Sequence, residues 1–145
     1  MKNYQHILFA SDGTAGNEAA GEHAKKLAEV FTARISLLRV LDHLPFDEPV
    51  DRVPPEDVDQ VEWFKQDALE SLCGFANRFD IPVAAVNVVV TELSSEHEII
   101  RYARENDVDL IIVGARERHG LSLLRGATTD NVVHNAPCDV LIVHL

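Results

Sequence analysis

Residues 6–40, HILFASDGTAGNEAAGEHAKKLAEVFTARISLLRV, begin with the apolar run His6 to Ala10 and end with a second, Ile35 to Val40. Between them lie the turn-forming Ser11-Asp12-Gly13-Thr14 and a stripe of apolar residues at helical spacing, Ala20, Ala24, Leu27 and Phe31. Apolar runs that are continuous rather than alternating belong to strands buried on both faces, as in a parallel sheet covered by helices. The stretch therefore predicts one strand, one crossover helix and a second strand parallel to the first.

Further along, Val83 to Val90 (VAAVNVVV), Leu110 to Val113 (LIIV) and Val140 to Val143 (VLIV) repeat the theme. Val61, Phe64, Ala68, Leu72, Ala76 and Phe79 form a longer helical stripe, with acids and Lys65 opposite. Ser95 and Glu98 have capping-box spacing ahead of Ile99, Ile100 and Ala103, so a third helix is expected from Ser95 to Asn106-Asp107. A fourth is expected over Thr128 to Asn135, stopping before Pro137. The alternation β-α-β-α-β-α-β-α-β, with right-handed crossovers, predicts an α/β doubly wound sheet of five parallel strands and four helices.

The length of 145 residues, 46% hydrophobic and 26% charged, suits one domain spanning 1–145. A chain of this size removes roughly 70% of its unfolded surface from water and needs no disulfide or structural metal. Cys73 and Cys138 lack CxxC spacing, which argues for core thiols in a reducing compartment. Thirteen Lys plus Arg against 24 Asp plus Glu give a formal charge of −11, which repels phosphate backbones and anionic lipid, so neither nucleic acid nor membrane is an expected partner. No run approaches the ~20 apolar residues of a membrane span, and the N-terminal apolar segment is short for a signal peptide. The expected location is cytoplasmic.

The segment 42–67 stands apart in composition. It holds nine acids against Arg52 and Lys65, together with Pro45, Pro49, Pro54 and Pro55. Its first half reads as a mobile acidic loop feeding the second helix.

In an open α/β sheet the ligand crevice lies beyond the carboxyl ends of the strands, where the strand order reverses. Two strand ends carry unusual residues here: Ser11 to Thr14, and Gly114 to Thr129 (GARERHGLSLLRGATT). There is no GxxxxGK[ST] and no GxGxxG after the first strand. A receiver domain is excluded on two counts: Val90-Thr91 stand where an acceptor Asp is needed, and no Lys follows the last apolar run. No aromatic or Gly-rich flavin loop is present.

The stretch VGARERHGLSLLRGATTDNVVHNAPCDVLIVHL, residues 113–145, resembles the C-terminal signature of the universal stress protein family. The opening HILFASDGTAGNEAAGEHAKKLA resembles the same family's first strand, Asp-Gly-Ser/Thr turn and first helix. The RHGLSLL run is most similar to the universal stress protein A subgroup. The resemblance covers the full chain. It implies the sheet order 3-2-1-4-5, an adenine nucleotide alpha hydrolase-like fold, and a homodimer joined through the last strand.

Nucleotide-binding members of that family carry Gly-x-x-Gly, nine residues, then Gly-Ser/Thr, and hold ATP between that loop and the first strand's Asp. By resemblance, Gly114 matches the first glycine, Asp12 the carboxylate near the adenosine, and Val40 the residue whose backbone reads adenine. The phosphate end departs from the pattern. Glu117 stands in place of the second glycine, only Arg118 to Arg125 separate it from Gly126, and Ala127 replaces the hydroxyl residue, leaving Thr128 as a displaced substitute. Glycines let backbone N–H groups close on phosphate oxygens, whereas Glu117 brings a side chain and a negative charge. At ~4 Å and an effective dielectric near 20 the repulsion is about 4 kcal/mol, and a lost hydroxyl bond adds about 1 kcal/mol. Arg116, Arg118 and Arg125 remain as attractors for an anion.

Two readings follow. The first is a non-enzymatic, cytoplasmic, homodimeric stress-response protein with a degenerate nucleotide crevice and protein partners, for which no cofactor is expected. The second is an adenine-nucleotide-binding switch, taking ATP or AMP, with at most slow hydrolysis. The candidate binding residues are Asp12, Val40, Gly114, Arg116, Gly126, Ala127 and Thr128. Seven scattered histidines show no metal-ligand spacing, and no GxSxG elbow supports a nucleophile. Neither a metal nor a catalytic residue is expected. Trp63 and Phe64 read as core or dimer contacts.

Overall fold

The computed structural model describes residues 3–42, 55–115 and 127–145, with the backbone alone at residue 127. The expectations for the acidic loop therefore fall largely outside the described residues, as do those for Arg116, Glu117 and Gly126.

Five strands form one sheet: β1 (His6–Ser11), β2 (Arg34–Leu41), β3 (Val86–Val90), β4 (Leu110–Ala115) and β5 (Asp139–His144). Their order is β3-β2-β1-β4-β5 and every neighbouring pair is parallel. Four α-helices accompany them among the described residues: α1 (Glu18–Phe31), α2 (Gln60–Arg78), α3 (Ser95–Glu105) and α4 (Ala127–Asn135). This is the fold class expected from the runs and the resemblance.

Because successive strand residues point to opposite faces, each continuous run feeds two cores at once. On one face Ile7, Phe9, Leu37, Leu110 and Ile112 meet Ala20, Ala24 and Ala28 of α1 and Leu72, Phe75 and Ala76 of α2. On the other, Leu8, Leu38, Val40, Ile111 and Val113 meet Ile99 and Ala103 of α3 and Val132 of α4. Phe9 pairs in register with both Leu37 and Ile112, is 1% exposed, and has the ring of Phe75 6.0 Å away. Small residues on α1 let that helix approach closely: a Cβ on Gly21 would lie 2.4 Å from Phe75 Cζ and 2.8 Å from Phe9 Cε2.

The elements differ from the sequence expectations in three places. The strand expected from Val83 begins at Val86, because Pro82 leads into a 3-10 turn over Val83–Ala85, closed by Ala85 N–H to the Pro82 carbonyl at 2.9 Å. The cap of α3 is Ser94, whose Oγ accepts from His97 N at 3.2 Å. Ser95 and Glu98 do not form a capping box: Ser95 Oγ donates to Asp42 Oδ2 at 2.8 Å and Glu98 Oε1 accepts from Thr91 Oγ1 at 3.1 Å. On α2 the buried face runs through Leu72, Phe75 and Ala76, while Val61 is 42% exposed. Trp63 and Phe64 pack edge to face on each other at 5.1 Å, outside the buried core.

Both cysteines are half-buried thiols rather than fully buried ones. No helix among the described residues is long and apolar enough to cross a membrane.

Candidate functional site

From the central strands the chain departs to opposite faces. After β1 it enters α1, which packs on the Phe9 face, whereas α4, ahead of β5, packs on the Leu8 face. β1 and β4 are adjacent, so the reversal falls at their carboxyl ends, the place where open α/β sheets hold their ligands. Asp12, Val40 and Gly114 all lie at carboxyl ends of neighbouring central strands, as the sequence places them.

The turn after β1 is held by its own side chains. Gly13 N–H donates to Ser11 Oγ at 3.1 Å, and Thr14 donates from both N and Oγ1 to Asp12 Oδ1, at 2.8 and 2.7 Å. Gly13 sits at φ +81, a backbone conformation that a Cβ disfavours. Asp12 N–H donates to Asn17 Oδ1 at 3.0 Å. Asn17 is 2% exposed, so this bond joins the crevice rim to a buried amide just ahead of α1.

Gly114 serves a packing need that its resemblance to a phosphate-loop glycine does not include. A Cβ there would lie 2.4 Å from Asn17 Nδ2, 2.9 Å from Leu145 Cδ1 and 3.4 Å from Ala20 Cβ. β4 can approach the start of α1 only with glycine at this position. Thr128 is the second residue of α4 and is exposed; Ala127 opens the same helix.

On the β2 side, Arg39 Nη1 donates to the Val40 carbonyl at 2.8 Å. Its guanidinium lies against the Ser11–Thr14 turn, where a Cβ on Gly13 would be 2.7 Å from Nε. Burial lowers the Arg39 pKa, while the charges of Asp12 and Asp42 raise it. Asp42 in turn accepts from Ser95 Oγ. The rim thus alternates Asp12, Arg39 and Asp42, negative, positive and negative. Sequence reasoning missed Asn17 and Arg39. A charged residue inside the otherwise apolar run ISLLRV is the signal that marks Arg39; Asn17 carries none beyond its place before a helix.

A second buried polar group lies at the opposite, amino end of the sheet. His6 is 4% exposed, with Nε2 2.7 Å from Ser36 Oγ and Nδ1 2.8 Å from the Asn106 carbonyl and 2.9 Å from Arg34 Nη2. The cluster ties β1, β2 and the end of α3 together. Among the described residues no three His, Cys, Asp or Glu side chains gather as a metal-binding group.

The open sheet, its strand order and the switch-point crevice define a doubly wound α/β domain of the adenine nucleotide alpha hydrolase-like fold. The universal stress protein family model matches residues 3–144, and the chain belongs to that family. Universal stress protein A homolog 2 of Coxiella burnetii is 31% identical over 146 residues, covering 100% of this chain and 98% of the relative. A universal stress protein solved in complex with cAMP is similar with a TM-score of 0.66 at 19% identity, covering 99% of this chain and 98% of the other. The universal stress protein of Archaeoglobus fulgidus in complex with dAMP is similar with a TM-score of 0.58 at 16% identity, covering 98% and 99%. At these identities the two structures speak for the fold.

Proposed function

We propose that this chain is a cytoplasmic, non-enzymatic stress-response protein that works as a homodimer on protein partners and carries a degenerate nucleotide crevice. One observation carries the crevice reading: Asp12 Oδ1, on the carboxylate aligned with the adenosine contact, is already engaged by two donors of Thr14. A ligand hydroxyl has to compete for that oxygen with a backbone N–H and a hydroxyl that are held beside it. The phosphate end adds Glu117 and Ala127, where a glycine and a hydroxyl residue are needed. What binding remains rests on Asp12, Val40, Gly114, Arg116, Gly126, Ala127 and Thr128.

The dimer reading is supported by β5, which lies at one edge of the sheet with Ile142 36% and Leu145 39% exposed. An edge strand with unpaired ladder groups and apolar side chains is satisfied by pairing with its own copy about a two-fold axis. The cytoplasmic assignment is supported by two thiols without disulfide spacing.

A second reading, an adenine-nucleotide switch, is favoured by the cAMP and dAMP held by two structural relatives and by the pairing of Ser11 with Arg39, the residues just before Asp12 and Val40. The double substitution Glu117→Gly with Ala127→Ser separates the two. Under the degenerate reading it tightens ATP at least tenfold in calorimetry and leaves adenosine within about twofold, because both positions belong to the phosphate end. If ATP affinity does not move, these departures are not what weakens the crevice.

A further inference from the structure

Arg39 is an unusual residue for its position. Its neighbours Leu37, Leu38, Val40 and Leu41 are all buried, and a guanidinium on such a strand is tolerated only when its donors and charge are met. Those needs are met by groups of the crevice itself. Nη1 donates to the Val40 carbonyl at 2.8 Å, and the negative charges of Asp12 and Asp42 act on the cation. The turn after β1 lies so close that a Cβ on Gly13 would be 2.7 Å from Nε and 3.2 Å from both Cζ and Nη2. The side chain therefore fills the space between the end of β2 and the Ser11–Thr14 turn.

We propose that Arg39 is the specificity-determining residue of the base end: its guanidinium is a built-in stand-in for a planar amino group on the Val40 carbonyl, and an amino-bearing base must displace it. The inference rests on the reading of the crevice as a weakened nucleotide site. The exocyclic amino group of adenine and the –NH2 of a guanidinium are both flat nitrogen donors that suit a backbone carbonyl. A base with an oxygen at the same position offers no donor to that carbonyl and gains nothing there when the arginine leaves.

The test is calorimetry of adenosine and inosine on the wild type, Arg39→Ala and Arg39→Lys, with urea midpoints to establish that each variant is folded. Arg39→Ala tightens adenosine at least tenfold and changes inosine less than threefold; Arg39→Lys, which keeps a donor but loses the plane, falls between. Equal tightening of both nucleosides overturns the donor-substitution proposal. Measurable adenosine binding that is unchanged in Arg39→Ala overturns it too and leaves the crevice reading standing. Absence of nucleoside binding by every protein to millimolar concentration overturns both. A readout on the wild type alone stands beside these. In 15N NMR the Arg39 Nε–H signal shifts on addition of adenosine and stays in place with inosine, and an unmoved signal at saturating adenosine contradicts displacement.

Discussion

Replacing Gly114 with alanine tests how the crevice is tied to the body of the protein. The new Cβ would lie 2.4 Å from Asn17 Nδ2 and 2.9 Å from Leu145 Cδ1. The leucine end is flexible and exposed, so it yields at small cost. Asn17 is 2% exposed and its Oδ1 already accepts the Asp12 N–H at 3.0 Å, so restoring an ordinary contact moves the amide by roughly 1 Å and breaks that bond. Overpacking of this kind costs about 1–3 kcal/mol, and loss of the hydrogen bond adds about 1 kcal/mol. The expected destabilisation is therefore about 2–4 kcal/mol. Urea unfolding with an unchanged m-value measures it, and amide exchange at Asp12 reports the broken contact. If the clash with Asn17 is the cause, Asn17→Ala relieves part of it, and the double variant is less unstable than the sum by at least about 1 kcal/mol. A loss under about 0.5 kcal/mol for Gly114→Ala, or strict additivity in the pair, shows that the Asn17 contact does not limit this position.

Three further outcomes are expected. Thr32 caps α1 in the left-handed region at φ 52, where a β-branched residue is strained, so Thr32→Gly stabilises by about 1 kcal/mol in the same urea assay. Burial holds the His6 pKa down and Arg34 pushes the same way, against the Asn106 carbonyl, Asp109 and Asp107. The unfolded chain therefore takes up a proton below about pH 6.5 that the folded one refuses. Its contribution is full above that pH and is lost as the pH falls towards the folded value; the difference in urea midpoint between wild type and His6→Gln narrows between pH 7.5 and 5.5, and a constant difference contradicts the assignment. Light scattering on a size column gives about twice 16.1 kDa at micromolar concentration, and substituting a charge at Ile142 on the exposed side of β5 lowers it to the monomer.

Much of the fold was legible because burial on both faces forces continuous apolar runs, and β1, β2, β4 and β5 appear within two residues of where those runs lie. The misses have local causes. Pro82 turned the first three residues of the VAAVNVVV run into a 3-10 turn, and adjacent serines left two candidate caps, of which the extended backbone at Ser94 selects one. On α2 the stripe was read from Val61, whereas burial begins farther along, and Phe75 rather than Val61 meets Phe9. Of the site, Asp12, Val40 and Gly114 could be placed from motif and strand ends. Asn17 and Arg39 could not be assigned roles, because the packing of Asn17 against Gly114 and of Arg39 against Gly13 joins groups far apart in sequence, whose approach only the folded chain creates. The pattern of glycines is likewise ambiguous in a sequence: Gly114 matches a ligand motif and also fills a packing need.

Wild-type calorimetry with ATP decides whether the proposed crevice has lost nucleotide affinity at both ends. At the ~4 Å separation that the motif resemblance implies, Glu117 and the lost hydroxyl together oppose phosphate by about 5 kcal/mol, enough to carry a micromolar site to the millimolar range. The expected Kd is no tighter than hundreds of micromolar; a Kd below about 10 μM rules out a weakened crevice.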